Sequence, residues 1–197
     1  EILVRVKGVV QAEFRDIDLV CDFDTSLPEV EADAEQLTQA VLNIVRNAAQ
    51  AVAGTTAGPW VVLRTRVARY VTLARRRYRL ALAIAVEDNG PGVPPELADR
   101  IFFPLVSGRE GGSGLGLTIA QTFVAQHSGT IECDSEPGRT VFRILLPVDL
   151  PRAAPFRQHP HEATVAQFRP DVPRGAQRDA EPGDHGLAHD LAGVRAQ

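Results

Sequence analysis

Three short segments carry residue types whose spacing suits a common chemistry. Asn43 and Asn47 stand four residues apart, so on a helix both amides project from one face. An amide oxygen is a neutral, hard ligand, suited to a Mg²⁺ that already carries phosphate charge. Asp88-Asn89-Gly90-Pro91-Gly92 puts a carboxylate at the end of an apolar run. There it can accept the exocyclic amine hydrogen of adenine, a donor that guanine lacks at that position. Gly90 and Gly92 let the backbone turn tightly against a flat base. Gly111, Gly112, Gly114 and Gly116 precede an apolar stretch from Leu117. Amides without side-chain bulk at a helix N-terminus favour phosphate oxygens. Each segment also has a plainer reading: a polar helix face, an ordinary Asp-Asn-Gly turn, a flexible linker before a helix. In this order along one chain they describe a pocket for an adenine nucleotide, its phosphates and a Mg²⁺. No Gly-Lys-Ser/Thr follows the glycines, which excludes a Walker A loop, and no strand feeds them directly, which excludes a dinucleotide fingerprint.

These residues need elements to hold them. Asp33 with Gln36 makes a capping box, and the helix that follows is expected to run to about Val52, before Gly54. Leu37, Val41, Ile44, Ala48 and Ala51 fall on one face of it; Gln39, Asn43, Asn47 and Gln50 lie on the opposite stripe. The apolar face should pack on a sheet and the amide stripe should face a cavity. Residues 19–24 alternate as a strand. Residues 60–66 and 78–86 read as a hairpin joined by an arginine-rich connection. A short helix is expected over Pro95–Phe103, a mobile loop over Ser107–Gly116, a helix over Leu117–His127 stopped near Gly129, and strands over Thr130–Ser135 and Thr140–Pro147. Thr140, in Gly138-Arg139-Thr140, places a hydroxyl where it could hold a water or a base nitrogen. Ile2–Val6 is compatible with either helix or strand.

Composition narrows the class. A net charge of −4 is too mild to imply a nucleic-acid partner. No apolar run approaches a membrane span and no signal peptide opens the chain. Cys21 and Cys133 lack metal-ligand spacing and are expected as buried thiols in a reducing cytosol. Residues 151–197 carry six prolines and four of the five histidines with little apolar periodicity, and are expected to form a disordered tail beyond a domain at 1–150. The chain has no Met and begins at Glu1, as a fragment of a longer protein would.

Taken together, the motifs resemble the ATP-binding catalytic domain of sensor histidine kinases, in the superfamily shared with DNA gyrase, Hsp90 and MutL. Asn43-Ile44-Val45-Arg46-Asn47-Ala48 is similar to the N box, and Asp88-Asn89-Gly90-Pro91-Gly92 to the first glycine box. Ile101-Phe102-Phe103-Pro104-Leu105 is similar to the F box, and Gly112-Ser113-Gly114-Leu115-Gly116-Leu117 to the second glycine box. Residues 43–51, 103–112 and 126–129 further resemble the nitrogen-regulation kinases of the NtrB type, as does the Arg-rich hairpin.

The resemblance implies an α/β fold, a two-layer sandwich of the Bergerat (GHKL) ATPase type. A mixed sheet would carry helices on one face, with ATP beneath a mobile lid at about residues 104–114. It implies Asn47 as the Mg²⁺ ligand and Asn43 as its neighbour near the γ-phosphate. Asp88 would bind the adenine amine, Gly90 and Gly92 would shape the base pocket, and Thr140 would support the base through water. Gly112, Gly114, Leu115 and Gly116 would form the phosphate cradle. Many family members have a lysine where Gln50 stands, so Arg46 or Arg109 is a candidate for that positive charge.

None of the five histidines fits a phosphoacceptor, and His127 is expected to be structural. The resemblance therefore implies a protein-histidine kinase whose acceptor lies in a dimerisation domain upstream. The fragment itself would be a monomer and the full protein a homodimer. The onward partners would be a nitrogen-type response regulator and a PII signalling protein, with no nucleic acid or membrane involved. The alternative is a nucleotide-binding docking module for a PII-type partner, using the hairpin Arg64–Arg79, without catalysis of its own.

Overall fold

The computed structural model describes residues 1–54, 56–108 and 112–148. Its elements run α1 (Ile2–Glu13), β1 (Asp18–Phe23), α2 (Ala34–Val52), β2 (Trp60–Leu73), β3 (Arg76–Asp88), α3 (Pro95–Ala98), α4 (Gly116–Gln126), β4 (Thr130–Glu136) and β5 (Arg139–Pro147). The five strands form one mixed sheet in the order β1-β2-β3-β5-β4. Only β1 and β2 pair in parallel, and a parallel pair needs a crossover, which α2 supplies. The result is the expected two-layer α/β sandwich. The expected tail, and Arg109, lie outside the described residues.

Helix α2 is the centre of the helical layer. Asp33 caps it by accepting from the N–H groups of Glu35 and Gln36 at 2.9 and 3.0 Å. A cap of this kind stabilises a helix by about 1 kcal/mol. The capping box is only half made. Gln36 does not return a bond, because the Asp33 N–H donates instead to His127 Nε2 at 2.9 Å. The other ring nitrogen of His127 lies 2.7 Å from the Phe123 carbonyl oxygen. An amide N–H can only donate and a carbonyl can only accept, so Nδ1 carries the hydrogen. His127 is structural, as expected, and it joins the end of α4 to the start of α2.

The buried arc of α2 is wider than a single apolar stripe. Ala40, Val45, Ala49 and Val52 are buried along with Leu37, Val41, Ile44 and Ala48, while Ala51 is only half-buried. The sheet covers one side of the helix and α1 and α4 flank it, so more than one face is enclosed. The inward face of the sheet meets this layer through Leu19, Val61, Leu63, Ile84, Val86, Phe142, Ile144 and Leu146. Each fully buried branched or aromatic side chain contributes roughly 1.5–3 kcal/mol. Ile2–Val6 belongs to a helix, with Val6 and Val10 turned into the core.

Other boundaries shift for physical reasons. The expected helix at Pro95–Phe103 ends at Ala98, and successive i→i−3 turns from Arg100 to Leu97 and from Phe103 to Arg100 replace it. Most of the arginine-rich connection belongs to the strands. The hairpin turn itself is Ala74-Arg75, both at positive φ, 47° and 66°, which matches the twist of a two-residue turn. From Arg66 onward β2 runs past the end of β1, and before Ala81 β3 runs past the end of β5. The hairpin therefore projects, held by a small cluster of Leu73, Ala81 and Leu145. Cys21 and Cys133 are free and half-buried, packed against the core from its edge strands rather than fully enclosed. They sit on the two edge strands with three strands between, roughly four spacings of about 4.8 Å apart, far beyond disulfide reach.

The outward face of the sheet is charged. Asp22 on β1 pairs with Arg66 at 2.6 Å and Arg64 at 3.5 Å. Arg64 pairs with Glu87, which also receives Arg139 Nε at 2.8 Å, and Arg139 reaches Asp134 at 3.5 Å. One chain of ion pairs thus crosses all five strands. Glu87 is its most enclosed member, and its two arginines are only 17% and 31% exposed. Glu87→Ala leaves two guanidiniums facing each other across β3. It is expected to reduce unfolding free energy by about 2 kcal/mol, read from the urea midpoint, where an unchanged midpoint would deny the chain of pairs a stabilising role.

Candidate functional site

The site is built where β3, β5 and β4 end beside α2 and α4. Asp88 is the last residue of β3 and only 1% exposed. Its register partners are Val61 on β2 and Thr140 on β5, and Thr140 is in turn paired with Ser135 on β4. Asp88, Thr140 and Ser135 therefore form a polar row across three strands of an otherwise apolar face. Thr140 is buried, and its hydroxyl lies 3.0 Å from Ser135 Oγ, which also accepts from the Val93 N–H at 2.8 Å. Sequence reasoning missed Ser135. The inward parity of Ile131 and Cys133 along β4, carried two residues further, is the signal that finds it.

The turn after Asp88 is tightly fixed. Asp88 Oδ1 accepts from the Gly90 N–H at 2.9 Å, and the Gly90 carbonyl accepts from the Gly138 N–H at 2.9 Å. A Cβ at Gly90 would lie 2.7 Å from Asp88 Oδ1 and 3.3 Å from Ala51 Cβ, so this glycine lets the carboxylate and α2 approach one another. Gly92 has φ 86° and lies against the backbone of Glu136 and Pro137, where a side chain would be both strained and crowded. Asn89 braces the turn by accepting from the Trp60 N–H at 2.9 Å and donating to the Gly58 carbonyl at 3.1 Å. Nearby, burial pushes the Cys133 thiol up to about 11, with the Asp134 and Asp88 carboxylates adding to the shift.

The second end of the site lies between α2 and the start of α4. Asn43 and Asn47 are both half-buried on the same face of α2. The Cβ direction of Gly116, the first residue of α4, points at Asn43, 3.9 Å from its Cβ and Cγ. The start of α4 thus faces α2 at Asn43. Asn43 Oδ1 accepts from Gln39 Nε2 at 3.0 Å. Asn43 Nδ2 is buried and has no hydrogen-bond partner among the described residues. Helix α4 starts without a side-chain cap, so its first-turn amides and partial positive charge are open to an anion.

The segment before α4 folds against the F-box region. The Leu105 N–H donates to the Gly114 carbonyl at 3.1 Å, and Thr118 Oγ1 donates to the Phe102 carbonyl at 2.9 Å. Gly114 has φ 65°, and a Cβ there would come within 2.6 Å of the Leu105 carbonyl carbon. Its glycine identity thus has a packing cause besides any contact with phosphate. Phe102 packs edge-on against Phe142 with ring centroids 6.4 Å apart, whereas Phe103 and Leu105 are 57% and 78% exposed. Leu115 and Gly112 are also exposed. Arg46 Nε donates to Glu13 of α1 at 2.8 Å, which draws its guanidinium toward α1. Gln50 is exposed on the last turn of α2.

This arrangement suits an adenine nucleotide. A buried carboxylate lies at one end, and an orphaned buried amide donor beside an uncapped helix N-terminus lies at the other. Among the described residues no three His, Cys, Asp or Glu side chains gather as a metal site. A Mg²⁺ held through Asn47 would take most of its ligands from phosphate oxygens and water.

Comparison with known proteins supplies the family. Residues 32–150 match the model of the histidine kinase-, DNA gyrase B-, and HSP90-like ATPase family. The sensory histidine kinase/phosphatase NtrB of Escherichia coli O157:H7 is 53% identical over 145 residues, covering 73% of this chain and 41% of the relative. NtrB of Vibrio alginolyticus is 47% identical over 149 residues, 75% of this chain and 42% of its own length. The chain thus spans about two-fifths of these curated relatives. Among solved structures, the mycobacterial sensor histidine kinase MprB superposes with TM-score 0.60 at 27% identity, covering 75% of this chain and 92% of that one. Full-length ShkA in complex with AMPPNP superposes with TM-score 0.62 at 28% identity, covering 79% of this chain and 31% of that one.

Proposed function

From the premise that this chain belongs to the histidine kinase-, DNA gyrase B- and HSP90-like ATPase family, as a catalytic domain of the NtrB type, we propose that it binds ATP and passes the γ-phosphate to a histidine. The acceptor is supplied by a helical dimerisation domain. The observation that carries the reading is that the turn after Asp88 and the start of α4 both lie against α2, at Ala51 and at Asn43, where Asn43 Nδ2 is a buried donor without a partner among the described residues.

The residues divide the work by position. Asp88 accepts the adenine amine hydrogen, and Thr140 with Ser135 supports the base edge through water. Gly90 and Gly92 leave room for the flat ring. Gly112, Gly114, Leu115 and Gly116 bring backbone amides to the phosphates, and Asn43 donates to one of them. Asn47 offers its amide oxygen to Mg²⁺, which when bound neutralises phosphate charge. Arg46 and Arg109 are candidates for further positive charge; Arg46 would first have to leave Glu13. Catalysis of this kind is positioning and charge neutralisation, with an imidazole as nucleophile.

The phosphoryl group then passes to an aspartate of a nitrogen-type response regulator. A PII-type protein sets the balance of the activities, and the full-length protein works as a cytoplasmic homodimer. Among the described residues no helix is long and apolar enough to cross a membrane.

A direct test mixes the chain with Mg-ATP and a separately expressed dimerisation domain. Acid-labile phosphate should appear on the latter, and Asn47→Ala should reduce its rate by about a hundredfold. Nucleotide binding without labelling would favour the second reading, a docking module. One feature favours that reading: Arg69, Arg75, Arg76, Arg77 and Arg79 on the projecting hairpin join no ion pair among the described residues. The same charges also protect exposed strand edges from pairing with other chains.

A further inference from the structure

We propose that Gln39 is a positioning residue that, by donating to the Asn43 amide oxygen, favours the arrangement in which the Asn43 NH₂ faces the nucleotide phosphates. The inference rests on the nucleotide-binding reading and adds a polarity to it. An asparagine amide can present either an acceptor oxygen or a donor NH₂, and rotation by half a turn exchanges them. Gln39 lies one helical turn before Asn43 on α2, at the i,i+4 spacing where Gln and Asn side chains meet. Its Nε2 donates to Asn43 Oδ1 at 3.0 Å. That bond occupies the oxygen and leaves Nδ2 on the other side; the Gln39 amide can turn as well, so its part is to supply the donor that satisfies the Asn43 oxygen when an anion meets Nδ2.

Nδ2 is the buried side-chain donor left without a partner among the described residues. Burying an unsatisfied donor is unfavourable, so such a group calls for an acceptor from outside the chain. Asn43 faces Gly116 at the uncapped start of α4, where the open amides also seek an acceptor. A phosphate oxygen satisfies both. With the amide reversed, the Asn43 oxygen would face that anion and repel it. The two N-box amides therefore divide their roles: Asn43 is held as a donor to phosphate, and Asn47 serves as the oxygen ligand of the metal. Gln39 is itself exposed and acts only through Asn43.

The test is a double-mutant cycle read by equilibrium binding of a fluorescent ATP analogue, with thermal melting of every variant to confirm folding. Gln39→Ala frees the amide and should weaken binding about fivefold. Gln39→Glu should weaken it further, because a carboxylate only accepts and would hold the amide reversed, with Nδ2 toward residue 39. In an Asn43→Ala background Gln39→Ala should change affinity less than twofold, and Gln39→Glu should show only the smaller effect of its added charge. In nucleotide-free protein, the Asn43 side-chain NH₂ resonances should move in Gln39→Glu.

Equal losses in both backgrounds, or full affinity in Gln39→Ala, would overturn the role of Gln39 while leaving nucleotide binding intact. A folded wild-type chain that fails to bind the analogue overturns the nucleotide reading itself and this inference with it.

Discussion

Asp88→Asn is expected to lower ATP affinity by about 10- to 100-fold without unfolding the chain. The fold tolerates the change because an amide oxygen can still accept the Gly90 N–H, as Oδ1 now does at 2.9 Å. The shape is nearly preserved, and Asp88 ends its strand with the register to Val61 and Thr140 intact. What changes is polarity toward the base. A carboxylate only accepts, whereas asparagine sets an NH₂ against the adenine amine, donor against donor. Loss of a hydrogen bond to a charged group is worth about 1.5–3 kcal/mol, which gives the stated range. Guanine carries an acceptor at the same position, so the preference for ATP over GTP should narrow in the variant. Titration of both nucleotides by calorimetry checks the two effects together. Unchanged affinity for ATP, with an unchanged preference, would remove Asp88 from the base site.

The largest expected loss of stability comes from Gly129→Ala. A Cβ there would lie 2.5 Å from the Leu145 carbonyl oxygen, 2.8 Å from Leu146 Cδ2 and 2.9 Å from Val124 Cγ1. The first contact is backbone within β5 and cannot rotate away. Overpacking of this kind costs about 1–3 kcal/mol, and the upper end is expected where the obstacle is a strand carbonyl. The strain falls between α4 and the β4–β5 pair, so ATP affinity should drop along with the melting temperature. A melting temperature within a degree or so of wild type would show that β5 yields more easily than this packing implies.

Gly129 also shows what a sequence can and cannot reveal. A glycine after a helix suggests the left-handed residue of a C-cap. Here Ser128 takes that role at φ 56°, with the Ser128 and Gly129 N–H groups donating to Ala125 and Val124. Gly129 is small because β5 lies against it, a long-range fact with no local signature. The same distinction runs through the fold. Helix α2 is legible because apolar spacing and the Asp33 cap are local. The strands are legible apart from their ends, which depend on how far each neighbour extends. Helix α1 is ambiguous in sequence because its apolar residues are contiguous, and packing on the core decides between helix and strand.

The candidate site divides in the same way. The N-box helix, the turn at Asp88 and the glycines before α4 are visible as residue types at fixed spacings. Ser135 is not, since a serine near a Pro-Gly turn is unremarkable until register places it beside Thr140. The link between Gln39 and Asn43 lies on a stripe that spacing identifies, but which amide atom is left over needs coordinates. The pairing of Arg46 with Glu13 across two helices is likewise absent from any local pattern.

The bond from Asp33 to His127, together with that from His127 to Phe123, has a kinematic consequence. The far end of α4 is moored to the first turn of α2, while its near end, at Gly116, carries no cap. The near end is tied less directly, through the Thr118 hydroxyl to the Phe102 carbonyl and by the buried Ala120, so a displacement of the segment before α4 loads that end first while His127 holds the other. The imidazole works there as a pin whose fit depends on a single hydrogen, carried on Nδ1 and absent from Nε2.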